Sequence, residues 1–94
     1  MKKTNKKVDK ISNEYEAIIK ILGKEYKSKG STIEEAISSL KPQNCKGKAI
    51  LSIIRGDVRK DRILMPTAIF RLFNTRGITR EVAVKQSSLL FQGI

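Results

Sequence analysis

The sequence has no histidine, no tryptophan and a single cysteine, Cys45, among its 94 residues. A zinc site, a disulfide and a Ser/His or Cys/His catalytic pair each need residues that this chain does not have. Without histidine, a general base would have to be a carboxylate, a lysine or a tyrosine whose pKa is strongly shifted. We therefore expect a protein that is not an enzyme and that holds no metal and no cofactor.

Long apolar runs are also missing, since no stretch approaches the roughly 18 consecutive apolar residues that span a membrane. The first ten residues are basic, and the apolar segment of a secretory signal does not follow them. A lone cysteine is typical of a reducing compartment. These features predict a cytoplasmic protein with no membrane partner.

Acidic residues are scarce, because 9 Asp and Glu face 20 Lys and Arg, which gives a formal net charge of +11 and a pI near 10.1. Such an excess is typical of proteins that bind a polyanion. An AT-rich genome would also favour lysine codons, so genomic bias is an alternative source of the lysines. The arginines are more informative, because all of them lie between Arg55 and Arg80.

The length predicts one domain with a modest hydrophobic core. Residues 1–11 are rich in lysine and nearly free of apolar side chains, which predicts a flexible basic arm. Residues 12–94 then form a single α+β domain. We expect the order ββαββ, followed by a short helix and a C-terminal helix.

The first hairpin is predicted by alternation, because Tyr15, Ala17, Ile19 and Ile21 fall on one face of a strand. Gly23-Lys24 separates this strand from residues 25–29, a weaker run that we expect at an edge of the sheet. A helix follows Gly30, where Ser31 and Thr32 each have a glutamate three residues later, the pattern of two overlapping capping boxes. Its apolar stripe is Ile33, Ala36, Ile37 and Leu40, and Lys41-Pro42 ends it.

The second half begins with residues 49–54, a short isoleucine-rich run that predicts a central strand. Arg55-Gly56-Asp57 is typical of a turn, and residues 58–65 return as the partner strand. Pro66 suits the first position of a short helix, which ends near Asn74. Residues 79–91 fit a helix, although the alternation over residues 80–85 would also suit a strand.

The order strand, strand, helix, strand, strand over residues 12–65 resembles the β-grasp architecture of ubiquitin-like and sulfur-carrier proteins. The resemblance is closest in the step from Gly23-Lys24-Glu25-Tyr26 to Gly30-Ser31-Thr32-Ile33-Glu34-Glu35-Ala36. It covers a little over half of the chain and implies a fold rather than a function. Modifiers of that family end in Gly-Gly and its iron–sulfur members carry several cysteines, whereas this chain ends Gln92-Gly93-Ile94. No functional residue is therefore transferred from the family.

Positive charge is concentrated in the arm and in residues 41–62, where it would serve to contact phosphates. If the second hairpin projects from the sheet, its cations would lie near the tip and position the protein on the phosphates. The arm would attract the protein to the polyanion by its positive charge. We therefore expect non-catalytic binding of nucleic acid, with RNA favoured over DNA, for example as a component of a ribosome or another ribonucleoprotein. The candidate phosphate contacts are Lys2, Lys3, Lys6, Lys7, Lys46, Lys48, Arg55, Arg59, Lys60 and Arg62.

Two alternatives stay open. The two helices around residues 74–77 would suit a helix-turn-helix, with Arg76 and Arg80 at the start of its second helix. The chain would otherwise be a structural or interaction protein, such as a virion component, a small adaptor or an inhibitor, with a protein partner or a second copy of itself. The candidate interface residues are Tyr26, Phe70, Phe73, Leu89 and Leu90.

Overall fold

The computed structural model describes residues 14–43 and 45–93. These residues form an α+β fold, as expected, and the segment 80–85 belongs to a helix rather than a strand. The predicted basic arm, residues 1–11, lies outside the described residues. The elements are β1 (Tyr15–Ile21), β2 (Lys24–Gly30), α1 (Ile33–Ser38), β3 (Ala49–Arg55), β4 (Val58–Leu64), α2 (Pro66–Phe73) and α3 (Ile78–Leu89).

The four strands form one sheet in the order β2-β1-β3-β4, and every neighbouring pair is antiparallel. The edge position of β2 and the central position of β3 are as the sequence predicts. This strand order does not confirm the β-grasp resemblance. The β1–β2 turn and the β3–β4 turn lie at opposite ends of the sheet, because β1 and β3 run in opposite directions.

One face of the sheet carries the core. Ile19 pairs in register with Leu51, and Ala17 pairs with Ile53, so the alternating apolar side chains of β1 and β3 share a face. The helices cover this face, with α1 packed on β1 and β2 and with α3 packed on α1 and α2. The helical residues buried in the core are Ala36, Ile37, Ile69, Leu72, Ala83 and Val84, joined by Leu40 and Phe91 beyond the helix ends.

The N-terminus of α1 is capped by Thr32 and Glu35, but the Glu35 carboxylate accepts from Ser31 rather than from the Thr32 N–H of the predicted capping box. The Glu35 N–H donates to Thr32 Oγ1 at 3.0 Å, and the Glu35 carboxylate accepts from the Ser31 N–H at 2.6 Å and from the Ser31 hydroxyl at 2.8 Å. These bonds hold the pKa of Glu35 below its ordinary value. Glu34 takes no part in a box with Ser31 and instead lies 3.5 Å from the Ser88 hydroxyl on α3.

Gly30 has a second role that the sequence does not reveal. A Cβ atom at this position would lie only 2.6 Å from the Ala36 backbone nitrogen, so β2 and α1 approach too closely for any other residue. The Ser28 hydroxyl also donates to the Ala36 carbonyl oxygen. The end of β2 therefore fixes where α1 crosses the sheet, and Gly30 does more than interrupt a strand.

We expect Thr32→Ala to lower the free energy of unfolding by about 1 kcal/mol, because the Glu35 N–H would lose its acceptor. Thr79→Ala is the matched control, since Thr79 is exposed in the first turn of α3 and its loss should change stability by less than about 0.5 kcal/mol. Urea unfolding followed by circular dichroism measures both variants. Equal losses would contradict the capping role of Thr32.

Candidate functional site

The basic segment 41–62 does not form a single patch. Lys46 and Lys48 precede the first residue of β3, whereas Arg55 is its last residue. A strand rises about 3.3 Å per residue, so the seven residues of β3 place these cations about 20 Å apart. They lie at opposite ends of the sheet, and the predicted site separates into two regions.

The cations of the β3–β4 hairpin are divided again between the two faces of the sheet. Lys60 pairs in register with Ile53, and Arg62 pairs with Leu51, so both lie on the face that the helices cover. Arg59 pairs with Ile54 and lies on the opposite face. The predicted convergence of cations at the tip of this hairpin is therefore not seen.

Several arginines are occupied by contacts within the molecule. Arg62 Nε donates to the Leu90 carbonyl oxygen at 3.2 Å, which ties β4 to the end of α3. Arg55 Nη1 donates to the Tyr15 hydroxyl at 2.9 Å, and its guanidinium carbon lies 4.9 Å from the centre of the tyrosine ring. Arg80 Nη2 donates to the Ser38 carbonyl oxygen at 2.7 Å, at the end of α1, so this arginine of the helix-turn-helix alternative already has a partner within the molecule.

A polar cluster occupies the sheet face opposite the helices. Arg59 Nε lies 3.1 Å from Asp61 Oδ1, and Arg59 Nη2 lies 3.4 Å from the hydroxyl of Ser52, which is buried. The Ser52 hydroxyl and the Arg59 guanidinium together hold the pKa of Asp61 below its ordinary value. Arg59 is therefore partly neutralised by a neighbour on its own strand.

A different group of cations surrounds the β1–β2 turn. Ile21 pairs in register with both Lys24 and Ala49, so the turn lies beside the segment that leads into β3. Leu22 Cδ2 lies 3.9 Å from the position that a Cβ atom on Gly47 would occupy. The β1–β2 turn is therefore in contact with the segment that leads into β3. We call the four lysines around this end of the sheet the lysine cluster: Lys20, Lys24, Lys46 and Lys48, of which Lys20 and Lys24 lie on opposite faces of the sheet.

The lysine cluster is little neutralised within the molecule. All four side chains are exposed, and none forms a hydrogen bond or an ion pair with residues 14–43 or 45–93. Glu25 is the carboxylate next to them in register, opposite Lys20. The positive charge at this end of the sheet therefore faces solvent and would attract a polyanion.

Sequence reasoning identified Lys46 and Lys48 but missed Lys20 and Lys24, because these belong to β1 and β2 and are distant along the chain. The turn Leu22-Gly23 with a lysine on either side was the available signal. Lys2, Lys3, Lys6 and Lys7 lie outside the described residues. The β1–β3 register unites the cluster, and that register cannot be read from local pattern.

The apolar interface candidates are spread over the helical side. Tyr26 and Phe73 are half-buried against the core, so packing accounts for much of their surface. Phe70 is 57% exposed, and Leu89 and Leu90 are also exposed. An open groove of about 220 Å³ runs between α2, α3 and the end of β4, where Leu64, Ala83 and Leu90 contribute to its lining.

The described part of the chain offers little basis for a metal site, for thiol chemistry or for a membrane-spanning helix. Across residues 14–43 and 45–93, no three Cys, Asp or Glu side chains come together as metal ligands would. Cys45 is half-buried, and burial raises the pKa of its thiol. No helix in these ranges is long and apolar enough to cross a membrane.

Comparison with protein-family models, with curated proteins and with solved structures gives no match to this chain. Function is therefore inferred from the residues themselves.

We expect Asp61→Asn to lower the free energy of unfolding at pH 7 by less than about 1 kcal/mol, because both partners of the ion pair are about half exposed. The folded pKa lies below the unfolded value of about 3.9, so the stabilisation is present above that pH and is lost as the pH falls through the folded pKa. In urea unfolding, the difference in the free energy of unfolding between Asp61→Asn and the unsubstituted protein should shrink as the pH is lowered from about 6 to about 2.5.

Asp57→Asn provides the control for this measurement, since Asp57 lies in the β3–β4 turn and removing its carboxylate leaves the bonds among Ser52, Arg59 and Asp61 in place. A loss in Asp61→Asn that stayed constant across this pH range would contradict the electrostatic origin of the effect.

Proposed function

We propose that this protein binds nucleic acid without catalysing a reaction on it, and that the lysine cluster contacts the phosphates. The observation that carries the proposal is that four exposed lysines lie around one end of the sheet and that none of their side chains has a partner within residues 14–43 and 45–93. Lysine is a compact point charge on a long stem, which suits contact with a phosphate backbone that offers no fixed geometry.

The internal contacts of the arginines support this choice of surface. Arg55, Arg62 and Arg80 already donate to groups within the molecule, and a phosphate would have to compete with those bonds. The lysines of the cluster have no side-chain bond within residues 14–43 and 45–93, so binding there displaces water and counterions. Release of condensed counterions is the main source of free energy in binding that is independent of sequence.

The same proposal includes phosphate contacts by the lysines of the predicted N-terminal arm and a cytoplasmic location for the protein. Phosphate contacts position a protein but carry no sequence information, so the lysine cluster by itself accounts for affinity and not for specificity. Binding of this kind should weaken steeply as the salt concentration rises.

We expect the triple variant Lys24→Gln, Lys46→Gln, Lys48→Gln to bind a labelled nucleic acid at least about 10-fold more weakly at low salt. The slope of log affinity against log salt should fall in magnitude by about 2 to 3, since each phosphate contact contributes about 0.7 to 0.9. The triple variant Lys29→Gln, Lys60→Gln, Lys85→Gln removes the same charge elsewhere and should retain most of the affinity. Fluorescence anisotropy with a duplex and with a single strand measures both variants.

Equal weakening in the two triple variants would show a response to net charge alone and would contradict the assignment to the lysine cluster. Purification without nuclease, with the 260/280 absorbance ratio and the native mass read before and after a high-salt wash, tests the proposal more broadly. A nucleic-acid-free oligomer that persists in high salt would overturn it and would favour a structural protein assembled through Phe70, Leu89 and Leu90.

A further inference from the structure

Leu22 adopts an unusual backbone conformation at the centre of the lysine cluster. Its φ is +51°, and it is the one residue other than glycine with a positive φ in the described ranges 14–43 and 45–93. Gly23 follows with a φ of +83°, and two successive positive values indicate a type I′ turn between β1 and β2. Asn, Asp or Gly normally occupies the position of Leu22, because a larger side chain is strained there.

Burial does not explain why leucine stands at this position. Its side chain is 63% exposed and lies over Gly47 at the surface, outside the hydrophobic core. The backbone strain at Leu22 destabilises the free protein slightly, and burial of the exposed side chain offsets little of that cost, so its benefit is to be sought in a bound state. The cluster of lysines around it indicates which bound state that is.

We propose that Leu22 is an apolar wedge that inserts between base pairs from the minor groove of duplex DNA while the lysine cluster holds the flanking phosphates. The inference rests on the proposed function and adds to it a mode of contact. Minor-groove proteins commonly place Leu, Phe, Ile, Met or Pro between base steps and kink the duplex by about 20–90°. The β1–β2 hairpin presents such a side chain at its narrow end.

The chemistry of the turn favours duplex DNA over RNA. Single-stranded RNA is bound chiefly by stacking its bases on aromatic rings, and residues 20–24 carry an aliphatic side chain and no ring. Double-stranded RNA is recognised mainly by its shape and its 2′-hydroxyl groups. Lys20 and Lys24 flank Leu22 on the two strands, and Lys48 lies next to the turn, so cations are in place on more than one side of the wedge.

The test uses the full chain and an A·T-rich duplex of about 24 base pairs with a fluorescence donor and acceptor at its ends. The unsubstituted protein should raise energy transfer, because a kink brings the ends together. Leu22→Asn should keep salt-dependent binding but lose this increase. Its unfolding temperature should equal or exceed that of the unsubstituted protein, since asparagine tolerates a positive φ.

Ile78→Asn is the matched control, because Ile78 is likewise exposed, at 78%, but is the first residue of α3. It should bend the duplex as the unsubstituted protein does. A bound but straight duplex, or equal bending by Leu22→Asn, would overturn the wedge and leave the proposed function standing. Tighter binding to a single-stranded RNA that is insensitive to Leu22→Asn would overturn it too, whereas absence of binding to any nucleic acid at low salt would overturn the proposed function itself.

Discussion

The antiparallel pairing of β1 with β3 decides where the charges of this molecule lie. It sets Ile21 beside Ala49, so that the β1–β2 turn and the loop entering β3 share one end of the sheet. The same pairing sends the β3–β4 turn to the other end, about 20 Å away along the strands. The lysine cluster and the hairpin arginines are thus separated by this one strand pairing, although Lys46 and Lys48 are close to Arg55 in the sequence.

That separation gives the two kinds of cation different roles. Two of the arginines join separate elements, since Arg62 reaches the end of α3 and Arg80 reaches the end of α1. The planar guanidinium suits such ties because its donors are fixed in direction. The lysines at the opposite end make no comparable bonds within the described ranges, and their charge faces solvent.

Local pattern was sufficient for the elements and insufficient for the site. Alternation in β1, the apolar stripe of α1 and the Thr32 cap on the Glu35 N–H depend on neighbours a few residues apart, and all are visible in the sequence. The helical state of residues 80–85 depends on packing against α1 and α2, so the sequence alone left it open. The close approach at Gly30 and the lysine cluster both depend on contacts between segments that are distant in the sequence. Local pattern therefore predicts only that Gly30 interrupts a strand, and it predicts only part of the lysine cluster.

The edge strands carry a consequence for the behaviour of the protein in concentrated solution. Among the residues that the structure describes, β2 and β4 are the edges of the sheet, and both are rich in charge, with Arg59-Lys60-Asp61-Arg62 running unbroken along β4. A second molecule that added a strand to either edge would bring like charges together, which opposes fibre-like self-association. Part of the positive charge of this chain therefore protects its colloidal stability, whatever partner it binds.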